Sequence, residues 1–380
     1  MESMMDLSSS MMALSARQFG AVLGEAASRQ AMGAALRLLQ QSADVARAAL
    51  PGEAGLEWLE LANKLEAFEH FQQAPDRVAL TPGTGLPLEE QLRRASALGA
   101  YRSVWATEGL GYARAQSAWA AGPPRRLLAD DRLASLPARA IVPLHTGAAL
   151  SFAGRLLDDS QDRSAGGLGS WLALWADNAR PGYRDLVIEA LGLVARNLYP
   201  HRVWRLGELL RANAPGLDEY FWHGVGRGLY FAPTHAMPWS GAIGRAFDKA
   251  WREPPHEAGR RNATAGLAWA LTLVNVRNPE VLASVLWRHG GEIGSTEAFA
   301  DGVAAAVLIW YDAVGHDRYL AELLGYRPES RPGLPALWRD LVLASCETAL
   351  QQTYPTLQQS GGLTALFRCR PPQGKGVSGL

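Results

Sequence analysis

The sequence predicts an all-α protein of stacked helical hairpins, forming either an α/α toroid or an open α-solenoid, with N-terminal helices packed on it. Three observations carry this expectation. A small residue, usually glycine, opens a short apolar run at Gly109, Gly147, Ala190, Gly224, Gly266 and Gly302, at steps of 38, 43, 34, 42 and 36 residues. Helical-repeat arrays recur at such periods. Turn-forming groups such as Arg180-Pro181-Gly182, Ala214-Pro215-Gly216 and Glu253-Pro254-Pro255 separate the apolar stretches. No segment alternates apolar and polar residues between hairpin turns, so no sheet is expected.

The elements follow in order. Residues 12–49 are rich in alanine, leucine, glutamine and arginine and lack proline until Pro51, which favours helix. Leu56, Leu59, Leu61, Leu65 and Phe68 form the apolar stripe of a second helix. Thr81-Pro82-Gly83-Thr84-Gly85 is a loop by its turn chemistry. A third helix opens at Pro87, with Glu89 and Glu90 suited to its first turn. Residues 1–99 thus form an N-terminal helical region and 100–326 the repeat domain with its six marked inner helices. In 327–380 one helix spans Leu337 to Tyr354 and a loose tail begins at Arg370. A glycine inside a helix costs about 1 kcal/mol against alanine, so its repetition implies that neighbouring backbones approach closely there.

Composition narrows the function. The 380 residues are 48% apolar and 19% charged, a globular balance. Lys plus Arg equals Asp plus Glu at 37 each, which removes the basic footprint of a nucleic-acid binder. Cys346 and Cys369, 23 residues apart, are too few for a zinc site, and Cys346, in an apolar helical stretch, reads as a buried inert thiol. The eight histidines show no metal-ligand spacing, and no nucleophile elbow occurs. The N-terminus carries no positive charge ahead of an apolar run. The longest apolar stretch, Val303 to Tyr311, is short for a membrane span. The expectation is a soluble, cytoplasmic protein with no cofactor.

Glu108-Gly109, Leu144-His145-Thr146-Gly147-Ala148-Ala149, Gly224-Val225-Gly226-Arg227-Gly228-Leu229-Tyr230-Phe231 and Thr264-Ala265-Gly266-Leu267-Ala268 resemble, in order, the short blocks of the family called domain of unknown function 1702. Two positions depart from that pattern: Ala190 replaces a glycine, and His223 precedes Gly224. The resemblance covers about residues 95–310. It implies a role in enediyne-type natural-product biosynthesis and supplies no reaction; the arginine bias over lysine with abundant alanine separately suggests a bacterial source.

Candidate chemistry lies beside the marks. The residue before each mark is Glu108, Thr146, Glu189, His223, Ala265 or Asp301. In equivalent repeats these side chains would converge, and convergent titratable groups in an apolar cavity make an acid/base site. The competing role is capping of helix N-termini. Arg227, flanked by Gly226 and Gly228, could hold an anion or pair with Glu108 or Asp301. Trp105, Trp222, Trp269 and Tyr230 lie near marks and could wall a pocket. Asp158-Asp159-Ser160-Gln161-Asp162 spells D-D-x-x-D, the pattern of magnesium-dependent diphosphate lyases, although an exposed acidic helix end fits it better. The reading favoured is an acid/base enzyme, of cyclase, isomerase or lyase type, acting on an apolar polyketide- or isoprenoid-like substrate. Glu108, His223, Asp301 and Glu189 would be the catalytic groups, and Arg227, Trp105, Trp222, Trp269 and Tyr230 would bind substrate. The alternatives are a scaffold that binds a biosynthetic partner protein and a magnesium-dependent lyase using Asp158, Asp159 and Asp162.

Overall fold

Helix follows helix throughout the computed structural model, which describes residues 26–78, 85–158, 165–235, 238, 241–328 and 331–369. Among the described residues there is no strand. The helices are α1 (Ala26–Ala49), α2 (Gly52–Val78), α3 (Leu88–Ser96), α4 (Ala100–Ala120), α5 (Ala138–Asp158), α6 (Ala165–Asn178), α7 (Leu186–Leu198) and α8 (Val203–Asn213). They continue as α9 (Leu217–Phe231), α10 (Ala242–Arg252), α11 (Glu257–Val274), α12 (Pro279–His289), α13 (Thr296–Val314) and α14 (Arg318–Gly325). A last run, α15, extends from Leu334–Trp338 to Tyr354–Ser360 through two π-turns, Arg339–Leu343 and Ala349–Thr353. It passes Pro355, beyond the end expected at Tyr354, because the π-turn ahead of Pro355 has already shifted the regular backbone ladder. Gly361, at φ 65°, terminates it. Residues 12–25, most of the 81–85 loop and the tail from Arg370 lie outside the described residues.

The six marks fall on α4, α5, α7, α9, α11 and α13, and each of these helices packs on the next in that order. The glycines account for how closely. A Cβ at Gly147 would overlap the carbonyl oxygen of Glu108; at Gly224, that of Glu189; at Gly266, that of His223; at Gly302, that of Ala265. In every case the carbonyl belongs to the residue just before the preceding mark. A second set lies two residues after a mark, where Gly111 meets the Leu144 carbonyl, Gly192 that of Phe221 and Gly226 that of Ala263. Gly109 makes the same kind of contact with the Phe71 carbonyl of α2, so α2 packs onto α4 by the rule the marked helices follow.

One apolar core runs from Ala67 to Phe367, and a smaller cluster of Ala43, Leu61, Ala62 and Leu65 ties α1 to α2. Among the described residues one helix, α5, is long and apolar enough to cross a membrane, and most of it is buried inside the fold.

Candidate functional site

Glu108 on α4, Glu189 on α7 and Arg227 on α9 meet in the interior. All three are buried, at 7%, 0% and 2% exposure. Arg227 Nη1 donates to both Glu189 oxygens, at 3.0 and 2.8 Å. Its Nη2 faces Glu108 Oε1 at 3.8 Å, an ion-pair distance beyond hydrogen bonding. The guanidinium also lies 4.5 Å over the Trp269 ring. His223, one turn before Arg227 on α9, points its Nδ1 at Glu189 Oε1 from 3.4 Å, while its Nε2 has no hydrogen-bond partner among the described residues. Phe367, from the 3-10 turn Leu363–Phe367, packs on both His223 and Trp269.

These contacts separate the two carboxyls electrostatically. Burial pushes the Glu108 pKa up, with the Glu189 charge adding to it and Arg227 opposing, and the result is about 7. Burial also opposes ionisation of Glu189, but Arg227 and His223 outweigh it and hold its pKa below the usual carboxylate value. Burial depresses the His223 pKa, with Arg227 adding and Glu189 and Asp301 opposing, so the imidazole is neutral at physiological pH. Two acids of one chemical type are thereby divided into an ionised anchor and a group that titrates near neutrality.

Glu108 and Arg227 form the floor of a cavity of about 290 Å³ between α2, α4, α5, α7 and α9. Its walls are aromatic: Phe68 and Phe71 from α2, Trp105, Tyr112 and Trp119 from α4, and Phe231 from α9. Phe68 meets Phe231 edge to face with centroids 5.3 Å apart, and Phe71 lies 5.5 Å from Tyr112. The rim carries the exposed side chains Gln116, Arg155 and Asp158.

The cavity row differs from the one expected. The positions three residues after the marks line it on four helices, as Tyr112, Leu150, Leu193 and Arg227; so do those seven after, as Gln116, Gly154, Asn197 and Phe231. Of the residues directly before the marks only Glu108 does so. The reason is the packing itself. At Glu108, Glu189, His223 and Ala265 the position before the mark is where the next helix's glycine crosses, so the side chains of Glu189, His223 and Ala265 are enclosed between helices, and the cavity opens a turn further along.

Of the residues singled out from sequence, Glu108, Arg227 and Trp105 face the cavity, while Glu189, His223 and Trp269 stand behind its floor. His223 and Arg227 are joined through Glu189 and do not address one ligand together. Trp222 instead packs against Gly207 and Gly259, near the ring of His256. Tyr230 belongs to a separate polar cluster, accepting a 2.9 Å hydrogen bond from Asn275 beneath the Lys64 ammonium. Asp301 is exposed; it interacts with Cys369 and is felt electrostatically by His223. Asp158 sits exposed at the cavity rim and accepts a hydrogen bond from the Tyr199 hydroxyl, whereas Asp159 and Asp162 lie outside the described residues. Among the described residues no cluster of His, Cys, Asp and Glu could hold a metal ion. Cys346 and Cys369 are buried free thiols, each pushed up to about 12 mainly by burial.

Sequence reasoning missed the α2 wall, Phe68 and Phe71, because α2 carries no small-residue mark. Phe68 was visible only as part of an apolar stripe. No family model matches this chain, and neither does any curated protein or solved structure.

Proposed function

We propose that this protein is an acid/base catalyst of natural-product metabolism acting on an apolar small molecule in the aromatic cavity. Glu108 gives and takes the proton. Arg227, anchored by Glu189, steadies the ionised form of Glu108, and the aromatic walls hold the substrate's apolar body. The observation that supports this is one buried carboxyl at the floor of an apolar cavity, with no hydrogen bond among the described residues and a pKa of about 7. A general acid/base works best when its pKa lies near the working pH. The hairpin-array reading, solenoid or toroid, fits as well, since equivalent positions on successive helices supply the cavity wall. Resemblance of the marked blocks to domain of unknown function 1702 supports the natural-product setting only; isomerisation or cyclisation of a polyketide- or isoprenoid-like skeleton is the reaction type we propose within it.

The test begins with native mass spectrometry of protein purified from its producer, to identify a retained ligand. That ligand is then incubated with the protein in D2O. Deuterium should enter it with the native chain and not with Glu108→Gln; equal incorporation with both would overturn the proposal.

A further inference from the structure

We infer that the cavity binds an apolar molecule bearing a positive charge, an aryl- or alkylammonium ion. The inference rests on Glu108 being the titrating group of the cavity, and deepens that reading by naming a ligand class.

The first argument is charge balance at the floor. Glu108 and Glu189 share one guanidinium, and His223 is neutral. With both carboxyls ionised, the group carries one uncompensated negative charge, and it belongs to Glu108, because Arg227 Nη1 is committed to both oxygens of Glu189. The other cation of the lining, Arg155, is at the exposed rim, 5.7 Å over the Trp119 ring, and shares that rim with Asp158. A buried carboxylate short of a counter-charge takes either a proton or a cation.

The second argument is the way this chain treats its own interior cations. Lys64 lies 4.0 Å over the Tyr230 ring and 2.9 Å from Glu60. Arg277 lies 3.6 Å over Tyr101 and 2.6 Å from Glu66. Arg227 lies 4.5 Å over Trp269 and 2.8 Å from Glu189. Each is a cation held between an aromatic face and a carboxylate. The cavity offers the same pair of groups, Glu108 with the aromatic rings of Trp105, Tyr112 and Phe71 in its lining, to a ligand. Ring faces attract cations through their quadrupole, most strongly where water is excluded. At about 290 Å³ the space equals about ten waters of liquid volume, enough for a small arylalkylammonium ion.

The experiment compares benzyltrimethylammonium with its uncharged isostere neopentylbenzene by ligand-observed NMR titration, between pH 5.5 and 8.5. The groups around Glu108 are Arg227, Glu189 and His223 at the floor, Tyr112 in the wall, and Arg155 and Asp158 at the rim. Tyr112, held up at about 12 mainly by burial, stays neutral over this range. The ammonium ion should bind at least tenfold more tightly than the hydrocarbon at pH 8.5. Its affinity should fall about thirtyfold by pH 5.5 as Glu108 takes its proton. In Glu108→Gln, shown to be folded by its melting transition, both the preference and the pH dependence should vanish. Equal or tighter binding of the hydrocarbon, binding of neither probe, or a preference that survives in Glu108→Gln each overturns the inference. None of these bears on deuterium exchange into a retained ligand, so the acid/base reading stands or falls separately.

Discussion

Arg227 divides its guanidinium unequally, with Nη1 bonded to both oxygens of Glu189 and Nη2 left 3.8 Å from Glu108. A buried ion pair needs close geometry to offset the cost of desolvating both charges. Glu189 has that geometry and Glu108 does not, which is why two carboxyls on one arginine titrate in opposite directions.

This asymmetry predicts a pH-dependent penalty at Glu108. Its folded pKa of about 7 lies above the ordinary value of 4.5. Between those values the unfolded chain loses a proton that the folded protein keeps. The residue's contribution is therefore fully present below about pH 4.5 and is lost as pH rises to about 7, a difference of about 3 kcal/mol. Glu108→Gln lacks it. Urea unfolding at pH 5 and pH 8 should show the variant gaining stability relative to the native chain at the higher pH. A constant difference between the two proteins would remove the case for a titrating buried carboxyl.

How far the site could be read from sequence follows from the same helix contacts. The glycine marks gave the packing points, since a repeated glycine inside helices has little other use, and they also gave Glu108 and Arg227. They could not give direction. Whether a side chain near a mark enters the cavity, the crossing or another cluster depends on rotations of a single turn. Trp222 and Tyr230, two residues before and six after Gly224, accordingly face elsewhere. Asp301 stands one residue before Gly302, as Glu108 stands before Gly109, yet it is exposed. Its helix, α13, contributes nothing to the cavity. The α2 wall needed a contact between chain segments about 160 residues apart, Phe68 with Phe231, which no local pattern encodes.

Removing the guanidinium should be costly, and the cost should be coupled to Glu189. Arg227→Met leaves two buried carboxyls without a counter-charge, and breaking a buried pair in this way costs about 3–5 kcal/mol. Adding Glu189→Gln should recover a large part of the loss, giving a coupling energy of about 1–3 kcal/mol in a double-mutant cycle. Arg227→Lys should fall between the two, because one ammonium cannot serve Glu189 and face Glu108 at once. Strict additivity of Arg227→Met and Glu189→Gln would contradict the pairing.

Asp158 should not be a magnesium ligand. It is exposed, and it accepts a hydrogen bond from the Tyr199 hydroxyl. Asp158→Asn should leave the melting temperature within about a degree of the native value, with or without millimolar magnesium, since an exposed hydrogen bond of this kind contributes about 1 kcal/mol or less. Magnesium binding by calorimetry that disappears in the variant would instead favour the diphosphate-lyase reading.

The glycines should divide by what surrounds them. Gly169, on the exposed side of α6, has nothing within 4 Å of an added Cβ. There Gly169→Ala exchanges a poor helix former for the best one and should stabilise by up to about 1 kcal/mol. Gly224 also lies inside a helix, yet its Cβ would overlap the Glu189 carbonyl oxygen. Backbone cannot yield as a flexible side chain can, so Gly224→Ala must push α9 away from α7, at a cost of 1–3 kcal/mol or somewhat more. The same displacement separates Arg227 from Glu189, because the two stand on those helices. Gly224→Ala should therefore also bring the Glu189 pKa back up toward the ordinary 4.5 and shrink the stability that the native chain gains as pH rises toward 4.5 from the acid side, a signature that a simple packing defect lacks. Denaturant melts of both variants at pH 5 and on the acid side of 4.5 read both effects. A Gly224→Ala protein that matches Gly169→Ala in sign at both pH values would overturn the close approach of the two backbones.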